Sequence, residues 1–153
     1  MTKFLMNFIG KRFQSRPYLI VSFGKIHKWL YLISSGKIFG NLGNLPVLIL
    51  NTKGRTTGRI IKTVLVYFSD QGKIFIIASF GGNPKNPSWF LNIQKNPYIS
   101  IQIKNEKINC FARILSKEEK DLIWPKIILF YSGYERYQNS TSREIPVIEL
   151  ESR

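Results

Sequence analysis

Residues 98–103 read Tyr-Ile-Ser-Ile-Gln-Ile, with Ile99, Ile101 and Ile103 on one face of a strand and Tyr98, Ser100 and Gln102 on the other. The same period of two returns at Ile108, Cys110 and Ala112. Two apolar runs, Val47 to Leu50 and the β-branched stretch from Ile60 to Phe68, add further strands. The full pattern predicts strands near 46–51, 60–68, 73–79, 98–104, 107–116 and 145–150, with turns at Asp70-Gln71-Gly72 and Asn105-Glu106. Helical periodicity appears in three places. Phe23, Ile26, Leu30 and Ile33 make an amphipathic helix ending near Gly36, the second of two N-terminal helices. Trp89, Phe90 and Ile93 share a helix face, with Asn86 as its cap, Pro87 at its first position and Asn96-Pro97 as its stop. Ser116 and Glu119 form a capping box that opens a helix over 117–131, where Pro125 should kink or loosen a turn. Antiparallel strands with a helix after the third suggest a small barrel; periodicity alone gives α+β.

Two segments carry candidate chemistry. In Ala78–Pro97 a strand ending at Ser79 leads through Gly81-Gly82 into the Trp89 helix. Glycines there permit positive φ and leave backbone N–H groups facing outward, a geometry suited to an anionic or planar ligand. An ordinary strand-to-helix connection has the same local pattern. Between the strands expected near 46–51 and 60–68 lies Gly54-Arg55-Thr56-Thr57-Gly58-Arg59, where guanidinium forks, hydroxyls and backbone donors meet. Those groups bind phosphate or carboxylate, although a plain hairpin with exposed arginines reads the same.

With TKGRTTG, ASFGGNPKNPSWFLNIQKNP, the Trp124-Pro125 helix and GYERYQ followed by REIPVIEL, the chain resembles the deazaflavin-dependent nitroreductase and quinone-reductase proteins that use coenzyme F-420. The resemblance spans roughly Asn41 to Leu150. It implies a split β-barrel of the flavin-binding oxidoreductase type, and hydride transfer from the reduced cofactor to a quinone, nitroaromatic or activated enone. By family position, Arg55, Thr56, Thr57, Gly58, Arg59, Lys62 and Lys85 would take the anionic tail, and Ser79, Gly81, Gly82 and Trp89 would meet the deazaflavin ring. Tyr131, Tyr134 and Tyr137 would line the acceptor pocket from one helix face, with Tyr134 as the catalytic proton donor beside the room left by Gly133. Core packing is the other reading of those rings. Three positions depart from the family pattern: Thr56, Ile61 and Phe80 stand where basic residues are usual. The same barrel with FMN or haem, or a non-catalytic protein for an anion or membrane surface, are the alternatives.

Composition narrows the partners. The 153 residues carry a net charge of +14; residues 1–69 hold 11 Lys and Arg and no acid, whereas residues 70–153 hold 12 against 9 acids. A half without acids prefers an anionic partner: a cofactor or, through the amphipathic N-terminus, a membrane surface. No helix-turn-helix, RNA-recognition or zinc-finger signature is present, so nucleic acid is not expected. One cysteine, Cys110, excludes an internal disulfide and fits a reducing cytoplasm as a buried thiol. One histidine, His27, rules out a His-rich metal site. Length suits one globular domain, read as a helical segment over 1–36 and a barrel over 37–153, acting as monomer or homodimer. Arg143 and Glu144 are expected to pin the last strand through an ion pair.

Overall fold

The structure is a computed structural model, and it describes Asn41, Leu42 and residues 44–153. The expected N-terminal helices, the 1–36 segment and His27 lie outside the described residues. Strands β1 (Asn41–Leu42), β2 (Leu45–Lys53), β3 (Ile60–Asp70), β4 (Lys73–Ile77), β5 (Tyr98–Ile103), β6 (Glu106–Ile114) and β7 (Val147–Ser152) are all antiparallel to their neighbours. The order β2-β3-β4-β7-β6-β5 closes on itself, because β5 pairs back to β2 through Ile49↔Gln102, Leu50↔Ile101 and Asn51↔Ser100. Closure leaves the six strands without a free edge. Helix α1 (Ser88–Lys95) is inserted between β4 and β5, and α2 (Lys117–Phe130) and α3 (Gly133–Asn139) between β6 and β7.

Strand parity separates two large buried clusters, with a small third one where Val47 and Ile49 of β2 meet Val64 and Val66 of β3. Leu48, Leu50, Ile76, Ile99, Ile101, Cys110, Ala112, Ile148 and Leu150 fill one buried cluster together with Trp89, Phe90 and Ile93 of α1. Residues of opposite parity, Phe75, Ile77 and Val147, join Phe68 in a second cluster covered by Ile127 of α2 and Tyr134 of α3. So β4 over 75–77 and β7 over 147–150 are buried on both faces, which is why Phe75-Ile76-Ile77 and Val147-Ile148 do not alternate with polar residues. Cys110 is a buried free thiol, as its alternating strand predicts, and burial pushes its pKa up.

The ends of the elements depart from the sequence reading for local reasons. Strand β4 stops at Ile77; Ala78 N–H still reaches Pro146 O at 2.9 Å, and Ser79 then turns into the right-handed helical region. Strand β7 begins at Val147 instead of 145, since Ile145 N–H donates to the Gln138 side chain and Pro146 has no N–H. The second hairpin turns at Lys104-Asn105, one residue early, with Lys104 at φ 53° and Ile103 paired to Glu106. Asn86 does not cap α1. The helix starts at Ser88 after an extended Pro87, and the Asn86 amide oxygen is buried without a partner. The Ser116–Glu119 capping box forms as expected, and α2 runs through Pro125 to Phe130.

Arg113 on β6 gathers Glu119 of α2 (2.7 Å), Glu149 of β7 (2.5 Å) and Glu151 (2.9 Å), while Lys73 of β4 reaches Glu149 at 2.9 Å. The cluster ties three strands to the start of α2. Burial alone would raise the Glu149 pKa, but the bonds from Lys73 and Arg113 outweigh it and hold it low. Glu119 is also held low, by the Ser116 N–H and then by Arg113.

Candidate functional site

The turn after β4 is the most constrained backbone in the described chain. Ser79 is right-handed helical, and then Phe80 (φ 48°), Gly81 (63°) and Gly82 (79°) are successively left-handed. For Phe80 this conformation costs ~1–2 kcal/mol. Gly82 is required: a Cβ there would run into the Ser140 side chain and lie 3.0 Å from Tyr137 O, so the end of α3 presses directly on the turn. Gly82 N–H and Asn83 N–H are used internally, donating to Ser79 O (3.0 Å) and Phe80 O (3.1 Å). The N–H groups of Phe80 and Gly81 make no hydrogen bond among the described residues. A right-handed residue followed by a left-handed one turns successive N–H groups toward a common point, a concavity for an electron-rich group.

Arg143, from the segment before β7, holds this turn from behind. Its Nε donates to Asn83 O at 2.8 Å, and its Nη2 to Ala78 O at 3.0 Å and Ser79 O at 2.7 Å. Of the two residues expected to pin the last strand by ion pairing, Glu144 does so, meeting Lys120 of α2 at 3.3 Å, whereas the Arg143 guanidinium is spent on carbonyls.

The tyrosines cluster around the same helix end. Tyr131 lies just beyond α2, not on a shared helix with Tyr134 and Tyr137 of α3, yet the three ring centroids are 5.3, 6.2 and 6.4 Å apart. It is the Tyr131 ring that lies over Gly133, where any Cβ would strike it, so the space attributed to Tyr134 serves Tyr131. Tyr134 is only 5% exposed and packs in the second core cluster. The hydroxyl contact in the group joins Tyr131 and Tyr137 at 3.4 Å. Burial raises the pKa of both Tyr134 and Tyr137, and the neighbouring Tyr131 adds to it in each case. Both phenols therefore stay protonated well beyond neutral pH. Because α3 touches Gly82 through Ser140 and Tyr137, the glycine turn and the tyrosines form one locus.

The basic hairpin is a different construction. Gly54 N–H to Arg59 O and Gly58 N–H to Gly54 O, both 2.8 Å, close the loop, with Gly58 at φ 68°. Arg55, Thr56, Thr57, Gly58, Arg59 and Lys62 are all exposed. Arg55 is partly engaged: its backbone N–H (3.1 Å) and Nη1 (3.3 Å) donate to Asn92 Oδ1, and Nη1 lies 3.4 Å from Ser88 O. Arg59 meets no carboxylate among the described residues. Of the departures from the family pattern, Thr56 and Ile61 are exposed and Phe80 is half-buried in the turn. Lys85 is exposed after the glycine turn, and Trp89 is buried in the first core cluster beside Phe90.

Sequence reasoning missed Asn92. Its amide is buried on α1 and bridges Arg55 to Thr52, whose Oγ1 accepts from Asn92 Nδ2 at 3.2 Å. The available signal was a polar residue set among Trp89, Phe90 and Ile93 on an apolar face. Among the described residues there is no group of His, Cys, Asp or Glu able to hold a metal ion, and no helix long and apolar enough to cross a membrane.

A family model described as F420H(2)-dependent quinone reductase matches residues 23–152. The chain belongs to that family. An F420H(2)-dependent quinone reductase of Mycobacterium tuberculosis is 31% identical over 133 residues, covering 84% of this chain and 89% of its relative. A solved F420-H2-dependent reductase is 34% identical, with a TM-score of 0.63 over 69% of this chain and 94% of that one. Another solved structure, described as a domain-swapped dimer, is 31% identical with a TM-score of 0.65, covering 81% of this chain and 94% of that chain. The closed antiparallel barrel is thus common to this quinone-reductase family member and its solved neighbours.

Proposed function

We propose that the chain is an oxidoreductase that takes reduced coenzyme F-420 and reduces a quinone. The observation that carries this is the left-handed turn Phe80–Gly82, with two N–H groups unspent among the described residues and the tyrosine cluster packed against it. The donor set fits the coenzyme's chemistry: N–H groups for the electron-rich edge of a ring, exposed cations for an acidic tail. When bound, a reduced deazaflavin supplies a hydride to an acceptor.

The N–H groups of Phe80 and Gly81 meet the ring, Ser79 and Gly82 shape the turn that presents them, and Trp89 supports from the core. Arg59, Thr56, Thr57, Gly58, Lys62 and Lys85 take the tail, and Arg55 does so while anchored to Asn92. A charge-assisted bond to such a group contributes ~1.5–3 kcal/mol, so Thr56, Ile61 and Phe80 weaken the grip relative to the usual pattern without abolishing it. Tyr131, Tyr134 and Tyr137 wall the acceptor pocket. The buried Tyr134 ring serves mainly as that wall. The proton for the reduced acceptor comes from the hydroxyl pair Tyr131 Oη and Tyr137 Oη, which moves the donor role from the residue that the sequence favoured. Nitroaromatics and activated enones, planar electron-poor acceptors like quinones, are further substrates.

A membrane-surface setting has its own support in Ile60 (64% exposed) and Ile61 (42%) among Lys53, Arg59 and Lys62, since lipophilic quinones reside in bilayers. A homodimer is the proposed assembly, supported by the solved relative described as a domain-swapped dimer. Light scattering measures the mass, and a monomer at micromolar concentration ends that proposal.

The test of the activity is anoxic reduction of a short-chain benzoquinone by reduced coenzyme F-420, followed by the return of oxidised-deazaflavin absorbance. Turnover that depends on protein concentration is expected. Turnover with reduced FMN and none with deazaflavin would overturn the reading.

A further inference from the structure

We propose that Arg143 is a positioning residue that locks the Ala78–Asn83 turn in the form that receives the cofactor ring. The proposal rests on the cofactor reading of that turn. Three donors of one guanidinium reach three carbonyls, those of Ala78, Ser79 and Asn83, which flank the left-handed residues on both sides. A planar fork with fixed donor directions holds three separate carbonyls at once, whereas a lysine ammonium is a single point.

The backbone that carries Arg143 is itself fixed. Gln138 of α3 donates from Nε2 to Arg143 O at 2.9 Å, and its Oε1 accepts from Ile145 N–H at 2.9 Å and from the buried Lys120 Nζ at 3.3 Å. Thus α3, which carries two of the tyrosines, positions the arginine, and the arginine positions the turn. Both halves of the site are set in register by one side chain.

The arginine is not placed there for an ion pair. Among the described residues no carboxylate lies within bonding distance of it and its Nη1 is buried without a partner, and burial lowers its pKa. A cation held that way adds little to stability compared with an apolar filler, but it specifies one backbone conformation. Releasing it lets Phe80 leave its left-handed conformation, and the Phe80 and Gly81 N–H groups then no longer converge.

The full chain is compared with Arg143→Ala and Arg143→Lys by deazaflavin fluorescence titration, by hydrogen exchange of peptides spanning 78–83, and by melting temperature. In Arg143→Ala, affinity is expected to fall about tenfold, with faster exchange confined to 78–83. Millimolar guanidinium chloride should restore both, and sodium chloride of equal ionic strength should not. Unchanged exchange and affinity overturn the proposal. So does a loss that follows a global drop in melting temperature and does not respond to guanidinium. If Arg143→Ala does not fold, Arg143→Lys is read by the same exchange: local loosening at 78–83 supports the clamp, and wild-type protection refutes it. If the wild-type protein binds no deazaflavin, the cofactor reading fails by itself, and the exchange result still decides whether Arg143 holds the turn.

Discussion

The glycine turn and the basic hairpin belong to one barrel but are built by opposite means. The turn is overdetermined: Arg143 takes three of its carbonyls, α3 presses on Gly82, and three successive residues are left-handed. The hairpin is exposed and closed by two backbone bonds, and its one deep anchor is Asn92. Rigid geometry is suited to aligning two rings within reacting distance, which depends steeply on position. Solvated cations are suited to attracting a flexible anionic tail, and their contribution is screened by salt. Errors in the first region should therefore reach ring affinity and turnover at any salt concentration, and the loss of a hairpin cation should reach only the salt-sensitive part of affinity.

The largest effect should come from Gly82→Ala. A left-handed alanine and a Cβ driven against Ser140 together should destabilise the fold by about 2–5 kcal/mol in urea unfolding. Gly58→Ala is the matched change on the hairpin: left-handed as well, but with only Lys53 Cε at 3.8 Å, so about 1–2 kcal/mol is expected. Equal losses would erase the distinction between the two regions.

Next come the tyrosines. Tyr131→Phe or Tyr137→Phe should slow quinone reduction ~100-fold, the low end of general-acid effects, with cofactor affinity retained. Tyr134→Phe should leave more of the rate intact. A rate fall confined to Tyr134→Phe would return the donor role to that residue. Tyr137 is held protonated by burial, so the donor should not be lost as pH rises through the ordinary tyrosine range.

The Arg113 cluster provides a pH control that involves neither region. Glu149 and Glu119 have folded-state pKa values below their ordinary range, so the stability they contribute is present above the unfolded pKa and lost as pH falls through the folded one. Melting temperature should drop between about pH 5 and 3, and Arg113→Ala should flatten that drop. A pH-independent melting temperature over this window contradicts the assignment.

The smallest effect is expected from Arg59→Ala. Loss of one exposed cation should weaken coenzyme binding about fivefold at low salt and leave saturated turnover unchanged. Arg55→Ala should be larger, since it also removes the Nη1 bond to Asn92, the backbone bond from residue 55 remaining.

Most of the barrel was legible in the chain because β5 and β6 alternate, β2 to β4 are β-branched or apolar runs of strand length, and the hairpins use short turns. Element ends were less so, because they depend on long-range partners: β7 starts late only because Gln138 claims the Ile145 N–H. The glycine turn was found through Gly81-Gly82, but its clamp was not, since no local pattern shows that Arg143 reaches carbonyls some 60 residues away. The tyrosine spacing of three suggested one helix, and the break at Tyr131 between α2 and α3 could not be read from periodicity. Asn92 was visible as a polar residue in an apolar face; its partners, Thr52 and Arg55, come from tertiary structure.

The division of labour is tested most directly by titrating the purified protein with full-length coenzyme F-420 and with its tail-free deazaflavin core, each at low and high salt. The full coenzyme should bind more tightly at low salt, and its advantage should shrink as salt screens Arg59 and its neighbours, with core affinity nearly constant. No binding of either ligand by folded protein, or equal affinity for both at low salt, would contradict a rigid ring site joined to a solvated tail site.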